Sequence, residues 1–235
     1  WFLLMRNRLK VIGSEIVNVK KTAHNLRDFR LPNAILSYAT FFRYFIADEV
    51  QEDRVLYLDS DMIVNARLDE LFSLDLQGYA IAAVQDFGQD GWLTTFNAGM
   101  LLIDAKKWRE NHSTKSLLEL TVQHHEHVYG DQEILNHYFK DAWLRLPLTY
   151  NLQVGSDKDQ HQYGDLALYD EFPGLPAVIH YTSHNKPWTA NRFNHFREIW
   201  WFYYALSWED NLLRKPLMRQ RLEDLVGEFP YHTAV

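Results

Sequence analysis

The chain contains no cysteine, which excludes a disulfide framework and a thiolate zinc site and fits a reducing compartment. No apolar run approaches the roughly 20 residues needed to span a bilayer, and no secretory signal is visible. Basic residues are in deficit: 24 Lys and Arg against 31 Asp and Glu leave a formal charge of −7 and a pI near 5.9, which argues against the whole chain being a nucleic-acid binder. Ten Gly and seven Pro are too few for a fibrous protein. Internal repeats, low-complexity tracts and Gly/Ser linkers are also missing.

What the chain does have is apolar bulk. Of 235 residues, 47% are hydrophobic and 15% aromatic, too hydrophobic for disorder, and a chain of this length buries about 70–75% of its unfolded surface. It opens on Trp1, Phe2, Leu3 and Leu4 rather than Met, in the middle of an amphipathic pattern, so the expectation is that residues upstream of Trp1 are absent.

Strand-like and helix-like segments alternate, which predicts an α/β domain with a mostly parallel sheet flanked by helices. The spacing of Ile35, Tyr38, Ala39, Phe42, Phe45 and Ile46 predicts a helix over 33–47 capped by Asn33 after Pro32. Val55–Leu58 reads as a buried central strand stopping at Asp59, and Tyr79–Val84, Met100–Ile103 and Ala177–Tyr181 read as further strands. Asp131–Phe139 reads as a helix with acidic residues in its first turn. The organisation expected is a domain over 1–190 and a helical, aromatic tail over 191–235.

Charge is uneven. Residues 186–221 carry seven Lys or Arg and three acids, a net of +4, so the remainder carries −11. Such a tail has two readings, an aromatic helix packed on the core and, over 191–221, a peripheral contact with an anionic membrane. The two are compatible. They place the chain in the cytoplasm, at the inner face of the cell membrane where the second holds.

The most informative stretch is Val55-Leu-Tyr-Leu-Asp59-Ser60-Asp61-Met-Ile-Val64. Side chains alternate along a strand, so Asp59 and Asp61 share a side if the strand persists that far. Paired carboxylates repel unless a cation compensates them, and in open α/β sheets the ligand crevice lies beyond the carboxyl ends of the strands. A divalent cation bridging carboxylates and substrate phosphates follows. In Ala177-Val-Ile-His180-Tyr-Thr-Ser-His-Asn-Lys186-Pro-Trp188, a His ends an apolar strand. Such a His is more often a core residue, but beside two aspartates it completes an oxygen-plus-imidazole set that suits Mn²⁺ better than Ca²⁺, with Mg²⁺ as the alternative. Lys186 then offers a point charge to a phosphate.

These residues, in the ordered blocks LYLDSDMIV (56–64), FNAGMLLIDAKKW (96–108), YGDQEILN (129–136), LPLTYN (146–151) and HYTSHNKPW (180–188), resemble glycosyltransferase family 8. These are retaining sugar-nucleotide transferases of the GT-A fold that include bacterial lipooligosaccharide galactosyltransferases and glycogenin. The resemblance implies transfer of a hexose, galactose or glucose, from a UDP-sugar to a hydroxyl of a glycan that is lipid-linked, protein-linked or part of a wall polymer. It implies that Asp59, Asp61 and His180 hold Mn²⁺, that Lys186 holds the departing diphosphate, and that Arg43 and Ser60 belong to the donor site. Asp86, Asn97 and Asp131 would hydrogen-bond the donor sugar, and Gln132 would lie under its anomeric carbon. Because Gln132 is a poor nucleophile, same-face substitution is implied, with Asp131 as the rival nucleophile. The family's opening strand and loop, which contact the nucleoside, find little room in the 58 residues before Asp59, so this chain alone is expected to bind UDP weakly.

Each assignment has a plainer rival. Arg43 could pair with Asp48 or Glu49 on its own helix, Asn97 could cap a turn before Gly99, and Asp131 could simply favour a helix N-terminus. His124-His-Glu-His127 reads as a solvated face, and the sequon Asn111-His-Ser113 as chance. Two other functions compete. A haloacid-dehalogenase-like phosphohydrolase also runs a strand into Asp-x-Asp, but it leaves Asn97, Gln132, His180 and Lys186 idle. The other is a non-catalytic, sugar-binding descendant of the transferase.

Overall fold

The computed structural model describes residues 1–20, 37–86, 95–124, 130–154, 175–183, 186–189, 196–208 and 210. Helix α1 (Phe2–Val11) buries none of its residues. A 3-10 helix over Tyr38–Phe45 continues into the short α2 (Ile46–Glu49). It is capped by Ser37, whose hydroxyl accepts the Ala39 N–H at 3.3 Å; the expected cap Asn33 lies outside the described residues. The three-residue period aligns side chains at i and i+3. Phe41 and Tyr44 therefore share the buried face, while Thr40 and Arg43 fall in line with each other.

Next come β1 (Arg54–Leu58), β2 (Met62–Val64), α3 (Asp69–Phe72), β3 (Ile81–Gln85), β4 (Phe96–Asp104), α4 (Ala105–Glu110) and α5 (Ser113–Gln123). They are followed by α6 (Asp131–Phe139), β5 (Leu144–Arg145), β6 (Leu152–Val154), β7 (Val178–Tyr181) and α7 (Arg197–Ala205). The strands form two sheets, ordered β1-β4-β3-β5 and β2-β7-β6. The α/β class and the strand positions agree with the sequence, but the expected mostly parallel sheet does not. Among the described strands, β1–β4, β3–β4 and β2–β7 are antiparallel, and only β3–β5 and β6–β7 are parallel.

The reason lies in β4. Leu101 and Ile103 pack into one core with Phe41, Tyr44, Trp108, Leu117 and Phe139, whereas Met100 and Leu102 pack into a second with Leu71, Leu76 and Val84. A strand covered on both faces reads as a continuous apolar run whatever the direction of its neighbours. The expected buried central strand at 55–58 is instead half-buried, and it forms the edge of the sheet among the described strands.

The described part of the C-terminal tail is packed down. Ile199 and Phe196 join Ile179, Tyr181, Leu152 and Val154 in a third core under the second sheet. The Tyr181 hydroxyl donates to Phe196 O at 2.7 Å, and the Tyr203 hydroxyl to Asn65 Oδ1 at 2.7 Å.

Candidate active site

The site forms where the chain steps from one sheet to the other. β1 ends at Leu58, Ser60 and Asp61 make a turn, and β2 begins at Met62 in the second sheet. The Asp59 N–H donates to Gly99 O of β4 at 2.8 Å, and Asp61 O accepts the Tyr181 N–H of β7 at 3.0 Å. One aspartate is thus pinned to each sheet. The strand alternation invoked for the pair does not reach Asp61; the crossing between sheets, not the pleat, sets the carboxylates side by side.

Asp59 is held from the first sheet. Arg43, only 8% exposed, donates from Nη1 to Ala98 O at 2.5 Å, from Nη2 to Asp59 Oδ1 at 3.1 Å and from Nε to Thr40 O at 3.2 Å, with its guanidinium carbon 4.6 Å from the Tyr57 ring centroid. Burial works against its charge, but the carboxylates of Asp131 and Asp59 outweigh that and hold its pKa above the usual range. The plainer pairing of Arg43 with Asp48 or Glu49 is not what forms, because Arg43 points inward. The Tyr57 hydroxyl also donates to Asp59 Oδ1, and burial pushes this phenol well above its usual range, so it stays a donor.

Asp61 is held from the second sheet. Lys186 Nζ donates to Asp61 Oδ2 at 2.6 Å and to Tyr181 O at 2.5 Å. Burial would raise the Asp61 carboxyl, but hydrogen bonds and charge from His180 and Lys186 overcome it and hold the group well below the usual carboxylate range. One oxygen of each aspartate is thereby committed to a cation. The other two, Asp59 Oδ2 and Asp61 Oδ1, face His180 Nε2 at 3.8 and 3.3 Å. All three ligand atoms lie within 4.8 Å of one another. Two carboxylate oxygens and an imidazole nitrogen, converging with their outer atoms already tied back, fit a Mn²⁺- or Mg²⁺-type ion.

The remaining predicted residues join this network. Asp131, 5% exposed, begins α6 and accepts the Thr40 hydroxyl through Oδ1. Its Oδ2 lies 2.7 Å from Arg43 Nε, yet that N–H is directed at Thr40 O, which leaves Oδ2 in charge contact but without a hydrogen bond. Burial raises this carboxyl against the pull of Arg43. Gln132 uses both ends of its amide: Oε1 accepts the Ala98 N–H at 2.9 Å, and Nε2 donates to Asp86 Oδ2 at 2.5 Å. Asn97 Oδ1 accepts the Gly99 N–H at 3.0 Å, but within strand β4 rather than at a turn, so the turn-capping reading of Asn97 is corrected to a local bond inside a strand. Ser60 is exposed on the turn between the aspartates. His124 is half-buried with its ring 5.0 Å from that of His137, while His125 to His127 lie outside the described residues.

Besides Thr40, three residues of the site escaped the sequence reading. A Cβ on Gly99 would sit 2.2 Å from His180 Cε1 and 2.8 Å from Nδ1, so the imidazole rests where only glycine leaves room. A glycine inside an apolar strand was the available signal. Tyr57 was legible from alternation, two residues before Asp59 on the same side. Asn151, which places Oδ1 3.0 Å from His180 Nδ1, lies within a quoted block, but nothing local to it reveals a partner 29 residues away.

This arrangement defines an α/β domain of the GT-A type, with a carboxylate–imidazole centre at a sheet junction. Its sequence matches the glycosyl transferase family 8 model over residues 5–192, and the chain belongs to that family. It is 51% identical to glycosyltransferase GlyB of Streptococcus pneumoniae serotype 4 over all of this chain and 59% of GlyB. It is 28% identical to the lipopolysaccharide 1,3-galactosyltransferase of Salmonella typhimurium over 65% of this chain and 50% of that protein. The crystal structure of glycosyltransferase GlyE from Streptococcus pneumoniae superposes with a TM-score of 0.75 at 38% identity, covering 89% of this chain and 51% of GlyE. That of the galactosyltransferase LgtC, at 24% identity and a TM-score of 0.69, shares the fold over 88% of this chain and 82% of LgtC. The chain spans about half the length of GlyB and GlyE, 59% and 51%.

Proposed function

We propose that this chain carries the machinery of a metal-dependent, retaining hexosyltransferase that moves galactose or glucose from a UDP-sugar to a glycan hydroxyl. One observation carries the reading: Asp59 Oδ2, Asp61 Oδ1 and His180 Nε2 converge while Lys186 stands against Asp61. Asp59, Asp61 and His180 would hold Mn²⁺ or Mg²⁺, and the ion would supply positive charge to the donor's diphosphate. Lys186 sits where its ammonium can leave Asp61 for the leaving phosphate as negative charge builds there.

The donor sugar then falls to Asp86, Asn97 and Asp131. Asp131 Oδ2, buried in charge contact with Arg43 but without a hydrogen bond, keeps acceptor capacity that suits a sugar hydroxyl. Its carboxylate is engaged by Thr40 and Arg43, which suits an acceptor better than a nucleophile. Gln132, with both amide ends committed, supports a positioning role under the anomeric carbon. Same-face substitution is the scheme these groups favour. The bond from the anomeric carbon to the diphosphate oxygen breaks, a bond to the acceptor oxygen forms on the same face, and the acceptor's proton passes to the departing diphosphate. The galactosyltransferase name of the Salmonella relative favours galactose. The basic, aromatic C-terminal stretch supports work at an anionic, cytoplasmic membrane face, and among the described residues no helix is long and apolar enough to cross a membrane.

The test is a screen of UDP-sugars with Mn²⁺ that reads released UDP. Release that requires both Mn²⁺ and Asp61 is expected. Absence of release from every UDP-hexose, with or without a simple sugar acceptor, would leave a sugar-binding protein instead. The phosphohydrolase reading predicts turnover of p-nitrophenyl phosphate, which is expected to be absent.

A further inference from the structure

Behind the carboxylate–imidazole centre lies a chain of buried amides that runs from the Gly99 N–H to His180. The Gly99 N–H donates to Asn97 Oδ1 at 3.0 Å, Asn151 Nδ2 donates to the same oxygen at 3.0 Å, and Asn151 Oδ1 faces His180 Nδ1 at 3.0 Å. Asn97, Asn151 and His180 are 7%, 0% and 4% exposed, so solvent is poorly placed to substitute for any member.

The direction of this chain is fixed at one end by chemistry that cannot invert. A backbone N–H is only a donor, so Asn97 must turn its oxygen toward Gly99. That oxygen then demands a donor from Asn151, which must present its NH₂ and leave its own oxygen facing His180. An amide oxygen accepts and cannot donate, so the His180 nitrogen it meets must carry hydrogen. We infer that Asn97 and Asn151 are positioning residues that transmit the polarity of the Gly99 amide to His180, fixing Nδ1 as the nitrogen that keeps its hydrogen and Nε2 as the one that gives up its bond to Asp61 and offers its lone pair when a cation binds. The reverse order would set donor against donor at Gly99 in a buried site, where neither group finds water instead. Gly99 acts twice, since the same residue that sets the polarity also leaves the space in which the ring lies.

The inference rests on the metal reading above and extends it to two residues outside the ligand set. A hydrogen-bonded outer shell that orients a ligating imidazole changes metal affinity by about 10- to 100-fold when lost. It assigns Asn97 oxygen a structural task, which leaves its NH₂ end for the donor sugar.

Two measurements test it on the full chain. In ¹⁵N-histidine-labelled protein loaded with Cd²⁺ as a diamagnetic probe, His180 should show a protonated Nδ1 and a metal-shifted Nε2; a metal-bound or unprotonated Nδ1 overturns the inference. Mn²⁺ affinity, read by electron paramagnetic resonance, should fall about 10- to 100-fold in Asn151→Leu, which keeps the volume without the acceptor, and should recover in part in Asn151→Asp, which restores the acceptor for His180 but not the donor to Asn97. A packing role predicts the opposite order, and wild-type affinity in Asn151→Leu rejects the relay. If wild-type protein binds Mn²⁺ no better than Asp61→Asn, the metal reading itself fails and the inference with it. If Asn151→Leu does not fold, the nitrogen assignment in the wild-type protein still decides.

Discussion

The two aspartates are separated by one residue yet live under different regimes. On the first-sheet side, Asp59 leans on Arg43, a guanidinium sealed at 8% exposure and fastened to the backbone at Ala98 and Thr40. On the second-sheet side, Asp61 leans on Lys186, which is 22% exposed and rises from a loop. A planar, permanently charged fork bonded in three directions is a fixture, whereas a single ammonium on a flexible stem can change partners. One side of the site is fastened, and the other is held by a group able to exchange its partner.

The sharpest way to break that contrast is to remove Arg43. Arg43→Ala strands Asp131 and Asp59 without their buried partner and should cost about 3–5 kcal/mol of folding stability in chemical denaturation; a loss under 1 kcal/mol would mean the guanidinium is no fixture. Gly99→Ala forces a methyl into the space of the His180 ring. It should reduce Mn²⁺ affinity at least about 10-fold while shifting the melting temperature by only a few degrees, and unchanged affinity would show that the ring has another seat. Asp61→Asn removes a ligand's charge and should lower turnover by a factor on the order of 10² with the fold intact; activity with unaltered Mn²⁺ dependence would refute the ligand assignment. The smallest effect concerns the tail. Tyr204 is 71% and Trp201 40% exposed, on the outer face of α7. Replacing both by Ala should weaken partition onto anionic vesicles a few-fold, and unchanged partition would leave the aromatic ridge without a membrane role.

Much of the fold was legible because the residues that declare it are local. Asp131–Phe139 forms the expected helix, the apolar runs at 55–58 and 100–103 lie in strands, and the run at 177–181 does so from Val178 onward. Strand direction was not legible, since burial on both faces erases the alternation that would mark an antiparallel sheet. In the site, residue types announced themselves: Asp59, Asp61, His180 and Lys186 are costly to place together without purpose. Their partners did not. Thr40 meets Asp131 across 91 positions and Asn151 meets Asn97 across 54, and neutral amides and hydroxyls look alike in buried and solvated places.

The sequence by itself settled which groups carry charge, which stretches must be buried and that an acidic pair follows a strand, because side-chain chemistry and hydrophobic periodicity are written residue by residue. Only the tertiary structure decided that the pair straddles two sheets, which oxygen of each aspartate is tied back and which nitrogen of His180 faces them. Those are matters of direction, and a hydrogen bond acquires direction only once donor and acceptor have been brought to within about 3 Å of each other.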